Sequence, residues 1–434
     1  MVNVATVFST LGNPNSLWPL AIKDTASSAG MTVASYVTGK EEGYDRLIDE
    51  GGTEGVWLCS IPAYKYCYDK TIFKAIDLDS KFDARNLKDK TVLEKAKEYA
   101  PTKEVKNNIE KIMKNESLFK KAATGKFLAS TALAIGTYIG LTRWKQNYTE
   151  NKIRKNLLAE HNEKQAKEKE AKNNNLENPN FKGLGSVVES FAFSPVKNMW
   201  ILDGSITAER LADSRNTQEL VGYAIKEASL LFFLYYAGGK IQEIIENKAA
   251  KKGKPINLDA RVLEDKNFQK AFENNEVEKS LEEFKKANTS DVALYEFLHK
   301  NPDNLVVKTA KKSDIIGMYK EPQGLFKKSK VTDKIDTRKF IDLNEVKGVN
   351  EKIEQLYKEY KKALQNGDTS DKFFNGIKNL KRKSIITNIA TCIFALGVVT
   401  PGIMLAKRLL KGDDKEFQTK KDIREQMIKE GLIA

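Results

Sequence analysis

The sequence predicts a mainly α-helical, internally duplicated chain with one or two membrane-embedded helices. Three observations carry this. Apolar residues recur at helical spacing through the charged segments, two long stretches carry no charge, and two short motifs return in the same order.

The motifs come first because the rest of the chain is arranged around them. Phe82-Asp83-Ala84-Arg85-Asn86-Leu87 returns as Leu258-Asp259-Ala260-Arg261-Val262-Leu263, and more loosely as Ile335-Asp336-Thr337-Arg338-Lys339-Phe340. A second anchor, Asp45-Arg46-Leu47-Ile48-Asp49 followed by Thr53-Glu54, returns as Glu209-Arg210-Leu211-Ala212-Asp213 followed by Thr217-Gln218. In both halves the second anchor precedes an apolar run, and Asp-Ala-Arg follows that run. The two units are expected over residues 1–144 and 183–434, with a charged helix and linker over 145–182.

Asp83, Asp259 and Asp336 suit helix N-caps, where a carboxylate accepts from first-turn amides at a gain of about 1 kcal/mol. The flanking apolar pairs, Phe82 with Leu87, Leu258 with Leu263 and Ile335 with Phe340, have the spacing of a hydrophobic staple. The arginines are not explained by this, because a cation near a helix start is mildly unfavourable. Arg85, Arg261 and Arg338 are therefore expected either to pair with Asp49 or Asp213, or to hold an anion such as a lipid phosphate. Arg46 and Arg210 belong to the same candidate set.

Among the remaining elements, residues 91–100 and 102–115 are helical, the second with Val105, Ile109 and Ile112 on one face. Residues 127–142 are uncharged, and Ala132, Gly136 and Gly140 form a small-residue ridge that admits a neighbouring helix or a second copy. Residues 220–239 are interrupted by Lys226 and Glu227, which predicts a buried or interfacial helix. Two amphipathic helices are expected over 268–300, a short strand at Leu305-Val306-Val307, and a basic loop over 321–334. A strong amphipathic helix follows over 349–364, closed by Asn366-Gly367. Residues 384–406 are uncharged, about 34 Å as a helix, and form the best membrane candidate, with Pro401 expected to kink it. A short charged helix closes the pattern over 417–430.

Charge is uneven. The chain carries 73 Lys+Arg against 59 Asp+Glu, a net charge of +14. A basic body suits an anionic phospholipid surface or an acidic protein. Basic residues are not interleaved with aromatics, so there is no specific nucleic-acid signal. Both uncharged stretches are basic at both ends, so the positive-inside rule does not orient them, and spanning, re-entrant and soluble-core arrangements stay open.

No cofactor or metal motif is present. Gly183-Leu184-Gly185 lacks the third glycine of a phosphate loop, Asp77 and Asp79 are followed by Lys81 where a calcium loop needs an acceptor, and His161 and His299 lie far apart. Cys59, Cys67 and Cys392 are expected to be reduced thiols. The abundance of Lys and Asn suggests a bacterial source. With no signal-peptide pattern, a location at the inner membrane with most of the chain cytoplasmic is expected. The functional expectation is a non-enzymatic, membrane-associated scaffold or interaction protein. The alternatives are a transporter or channel component built from two related units, and a lipid-directed membrane enzyme whose nucleophile no motif nominates.

Overall fold

The computed structural model describes residues 4–13, 16–164, 195–321, 329–410 and 417–433, and helices account for most of them. The chain divides into two compact units, each assembled from separate stretches. One comprises Met1–Pro19, Tyr68–Lys126 and Gly239–Asn388; the other comprises Leu20–Cys67, Phe127–Gly238 and Ile389–Ala434. This differs from the consecutive units that the repeats suggest. The reason is local: residues 127–142 and the charged residues after them form one helix, Glu116–Lys164. Its Lys, Glu and Ala content gives no stop signal at residue 144. Residues 165–182 of the expected linker, and Gly183-Leu184-Gly185, lie outside the described residues.

In the first unit, helix starts are set by side-chain caps. Asp89 accepts from the Thr91 and Val92 amides at 2.9 and 3.1 Å and opens Lys90–Glu98. Thr102 opens Lys103–Lys114, whose Val105, Ile109 and Ile112 are buried. Residues 268–300 fall into three helices, not two: Lys266–Glu273, Glu276–Ala287 and Asp291–Lys300. Asn275, in the left-handed conformation at φ 59°, makes the extra break. Leu343–Gln365 is capped by Asp342 and buries Val349, Ile353, Leu356, Tyr357 and Tyr360; it ends at Asn366 and Gly367, whose φ of +84° an L-side chain would resist. Phe272 meets Tyr357, Tyr360 and Phe374 edge-on at centroid distances of 5.5, 5.5 and 5.3 Å, an arrangement favoured by the ring quadrupoles.

Two further expectations fail in this unit. Leu305-Val306-Val307 is not a strand. Asn304 caps Val306 at 3.0 Å, and the helix Leu305–Lys312 buries Leu305, Val306, Val307 and Ala310, so capping and core contacts override the β-branched preference. The basic stretch expected as loop contributes to an antiparallel hairpin, Met318–Glu321 with Lys330–Ile335. Residues 322–328 are not described.

The second unit holds the helix Trp18–Thr38 from Leu20 onward, and Lys40–Tyr68 up to Cys67. It also holds Glu116–Lys164 from Phe127, Pro195–Ala212, and the start of a helix that begins at Thr217. The short helix Gln418–Lys429 buries Ile423 and Met427 in a cluster with Ile153 and Leu157. Trp18–Thr38 includes a close backbone approach. A Cβ added at Gly30 would lie 2.2 Å from the Gly397 carbonyl oxygen. Gly397 sits in a π-helical turn, Ala395–Val399, four residues before Pro401, which has no N–H to return to that carbonyl. The π turn thus lies where the proline leaves a carbonyl without its i+4 donor. The expected ridge is elsewhere on the surface. Ala132, Gly136 and Gly140 are exposed, and nothing lies within 4 Å of a Cβ built at either glycine.

Two helices among the described residues are long and apolar enough to cross a membrane by length and composition: Thr217–Lys251 and Ser370–Arg408. The second contains 384–406. The first contains 220–239. The helix continues through a π turn, Phe232–Ala237, to Lys251, and the interrupting charges are buried as an ion pair, with Lys226 Nζ 3.3 Å from Glu227 Oε1. At about 1.5 Å per residue, both exceed a hydrocarbon core of about 30 Å.

Candidate functional site

The two segments that carry the second anchor pattern meet inside the second unit. The guanidinium of Arg210, 2% exposed, is the centre. Its Nη2 donates to Asp49 Oδ2 at 3.2 Å and to Thr53 Oγ1 at 2.9 Å, its Nε donates to Tyr138 at 2.8 Å, and its Nη1 pairs with Glu227. Lys145 Nζ reaches the other Asp49 oxygen at 3.1 Å, and Lys226 Nζ reaches Glu50 at 2.6 Å. Arg46 Nη1 lies 3.4 Å from Glu50 and 3.7 Å from Asp49, with its guanidinium over the Tyr223 ring at 5.0 Å. Three fully buried cations, Arg210, Lys145 and Lys226, thus face three buried carboxylates, Asp49, Glu50 and Glu227. Burial alone would raise the Asp49 carboxyl; Lys145 and then Arg210 outweigh it and hold Asp49 well below its usual range.

The anchors share sequence but not local form. The first lies in the uninterrupted helix Lys40–Tyr68. The second straddles a break: Pro195–Ala212 ends just before Asp213, whose carbonyl accepts from Gln146 at 2.9 Å, and Asn216 caps the helix that starts at Thr217. Nearby, Asp203 accepts from Trp57 Nε1 at 2.7 Å and from the Tyr235 hydroxyl. Burial pushes the Asp203 carboxyl up to about 7, and these two hydrogen bonds restrain the rise.

The Asp-Ala-Arg motifs all lie in the first unit and solve the arginine question differently from expectation. Each arginine pairs with the aspartate of its own motif, not with Asp49 or Asp213. Asp83 accepts from the Arg85 amide at 3.0 Å and from Arg85 Nη2 at 2.7 Å. Asp259 accepts from the Arg261 amide at 2.8 Å and Nη2 at 3.2 Å, and Asp336 from the Arg338 amide at 3.2 Å and Nε at 2.8 Å. A carboxylate that holds the amide two residues on also sits within reach of that residue's guanidinium, so one group does both jobs. Further contacts differ by copy: Arg85 stacks on Phe340 at 4.6 Å, Arg261 reaches Asp314 at 2.7 Å, and Arg338 reaches Asp79 at 3.2 Å. Asp83 heads the 3-10 turn Ala84–Lys88 and Asp259 the short helix Ala260–Leu263. Asp336 heads only a turn, and the helix after it starts seven residues on, at Leu343. In the third copy a threonine replaces the helix-favouring alanine.

His299 stacks on Tyr99 at 4.6 Å and lies 4.9 Å from Tyr295, and burial, then Lys311, push its imidazole down to about 4. It is a half-buried side chain packed among aromatic rings. Among the described residues no group of three or more His, Cys, Asp or Glu is placed to hold a metal ion.

A cavity of about 430 Å³ lies in the second unit, on the edge of the Arg210 network. Asp45, Arg46 and Asp49 line one wall, and Arg215, Glu219 and Tyr223 another. Arg215 Nη2 bridges Asp45 Oδ2 at 2.7 Å and Glu219 Oε1 at 2.8 Å. Sequence reading singled out Arg46, Asp49 and Arg210 through the repeat but missed Lys145, Lys226, Glu50, Glu227 and Arg215. A Lys-Glu pair inside an otherwise apolar run was the available signal, since charges in such a helix face a partner or a polar cavity.

No family model, no curated protein and no solved structure matches this chain.

Proposed function

We propose that this chain is a membrane-associated, non-enzymatic interaction protein. Its long apolar helices lie in the bilayer, and its basic helical surface meets anionic phospholipid or an acidic protein on the cytoplasmic face. The observation that carries the reading is the outward face of Ser370–Arg408. Only 22% of its apolar window is buried, and Ile386, Phe394, Val398 and Ile403 are each more than half exposed. A helix of a water-soluble protein seldom leaves so much of its apolar window uncovered. Phe232 and Tyr236 on Thr217–Lys251 add to it, at 49% and 59% exposure. Exposed lysines flank the apolar part, Lys383 on one side and Lys407 on the other, where lysine can reach the head groups.

Membrane fractionation tests this. The protein should resist carbonate extraction and be released by detergent, and it should float with vesicles containing phosphatidylglycerol. Recovery in the carbonate supernatant would overturn the reading.

A second reading, a solute-binding component of a transporter, is favoured by one feature: the charged cavity beside a buried, charge-balanced network. Uptake or release of solute in reconstituted liposomes separates it from scaffolding.

A further inference from the structure

Polarity is inverted in the second unit. In a water-soluble helix the charges face outward. Lys103–Lys114 of the first unit does this: it buries Val105, Ile109 and Ile112 and exposes Lys103, Glu104, Lys106 and Lys111. Trp18–Thr38 does the reverse. Its only charges, Lys23 and Asp24, are buried together with Ser27, Ser28, Thr32 and Ser35. From Leu20 onward it exposes Thr25, Ala29, Val33, Tyr36 and Val37, none of them charged. Lys40–Tyr68 follows the same rule: Asp45, Asp49 and Glu50 are buried, and no exposed residue from Tyr44 to Cys67 carries a charge. Nor does any exposed residue over 127–148, 217–239 or 386–406.

Water gives no reason for this arrangement. Burying charge costs several kcal/mol per ion, and leaving apolar side chains outside gives up their burial energy. A hydrocarbon surround reverses both preferences: it accepts the apolar face and drives ionisable groups inward onto partners. Two further features agree. Charge returns to the surface as lysine where these faces end: Lys40 after the first, Lys70 after the second, Lys121 and Lys152 on either side of the third, Lys240 after the fourth, and Lys383 and Lys407 on either side of the fifth. That suits anionic head groups. Between helices, Ser28 donates to Glu50 and to Glu54 at 3.1 Å each, and Gly30 lies against Gly397, the hydroxyl and small-residue contacts of bundles packed in lipid.

We propose that the second unit is a lipid-embedded helical bundle in which Trp18–Thr38 and Lys40–Tyr68 also cross the bilayer, their outer faces covered by acyl chains. At about 1.5 Å per residue, the 21 residues of Trp18–Thr38 reach about 31 Å, the thickness of the hydrocarbon core. Neither helix is among those apolar enough to cross by composition, because buried serines, threonines and charges dilute the average; sidedness marks them instead. Five separate helices carry such a face, more than the single patch a docked protein covers. The inference rests on the membrane reading above and extends it from two helices to a bundle.

The test is photocrosslinking of the full chain in vesicles of phosphatidylethanolamine and phosphatidylglycerol, with benzoylphenylalanine placed singly at Val33, Leu58, Ile403 or Gln355. All four positions are exposed; Ile403 lies on Ser370–Arg408 and Gln355 on Leu343–Gln365 of the first unit. Mass spectrometry should find phospholipid adducts at Val33 and Leu58 in the same yield as at Ile403, and none at Gln355. Lipid adducts at Ile403 alone would overturn the proposal and leave the membrane reading standing; no lipid adduct at any position would overturn both. Adducts from Val33 or Leu58 to a second copy or another protein in place of lipid would overturn it too, as would an equal lipid yield at Gln355. A second arm needs no substitution and covers variants that do not fold. Cys59 is exposed on Lys40–Tyr68. In wild-type vesicles it should react with a water-soluble maleimide only after denaturing detergent is added, and prompt reaction in intact vesicles overturns the proposal.

Discussion

Replacing Arg210 with methionine removes the centre of the buried network while leaving a long, flexible side chain in its place. Arg210 is 2% exposed and donates to Asp49, Thr53, Tyr138 and Glu227. Without it, three buried carboxylates, Asp49, Glu50 and Glu227, face only two fully buried ammonium groups, Lys145 and Lys226. Arg46, whose side chain is 13% exposed, is the nearest remaining help. Breaking a buried pair by removing one partner costs about 3–5 kcal/mol. At roughly 2–4 °C per kcal/mol for a unit of this size, the melting temperature should fall by about 6–20 °C. Adding Glu227→Gln restores the balance to two against two with little change in shape, and should recover roughly half of that loss. Thermal melting of detergent-solubilised protein by tryptophan fluorescence is a suitable assay. Trp57 is 1% exposed and hydrogen-bonds to Asp203 in the same unit. Two results would refute the reasoning: a single variant that melts within about 2 °C of wild type, or a double variant no more stable than the single one.

Gly30→Ala should destabilise by about 1–3 kcal/mol, since its Cβ would meet the Gly397 backbone; Gly51→Ala, in a helix with nothing within 4 Å, should instead stabilise by about 0.5–1 kcal/mol, and paired melts decide both signs. The imidazole of His299 titrates at about 4 when folded against an ordinary 6.5, so the unfolded chain binds the extra proton between those values. The stability it contributes is complete above pH 6.5 and is lost as pH falls toward 4, by up to about 3 kcal/mol; urea unfolding of wild type and His299→Phe across that range should show the difference. Asp83→Ala should cost about 1 kcal/mol through the lost cap, and Arg85→Ala less, because its side chain is 37% exposed; equal losses in urea unfolding would contradict that ordering.

Where local chemistry decides the structure, the sequence was sufficient. Val105, Ile109 and Ile112 announce their helix because a 3.6-residue period has one meaning, and Asn366-Gly367 announces an end because glycine tolerates positive φ. Where the partner decides, it was not. Ala132, Gly136 and Gly140 make a ridge on which nothing lies within 4 Å of a Cβ built at either glycine, whereas Gly30, which no motif marked, is pressed against another backbone. Spacing along one helix carries no information on which face a second helix occupies. The repeat did point to Arg46, Asp49 and Arg210, but their partners Lys145 and Lys226 come from unrelated segments, and only the fold brings those ammonium groups to the carboxylates. The motif arginines take the shortest route to a counter-charge, the aspartate two residues back, so their pairing is local and needs no long-range partner.

The chain changes unit five times, after residues 19, 67, 126, 238 and 388. Neither unit is a contiguous stretch, so a single cut cannot release either one intact. For a chain emerging in order from the ribosome, the first unit lacks its last stretch until residue 388 has been made, and the second lacks residues 389 onward for longer still. Arg210 meets Asp49 across 161 positions of sequence, and Arg408 meets Glu42 across 366. Until those closures form, the carboxylates of Lys40–Tyr68 and the apolar face of Ser370–Arg408 are both without their final surroundings. Nascent chains of this protein are thus exposed to misassembly late in synthesis, when consecutive domains would already be complete.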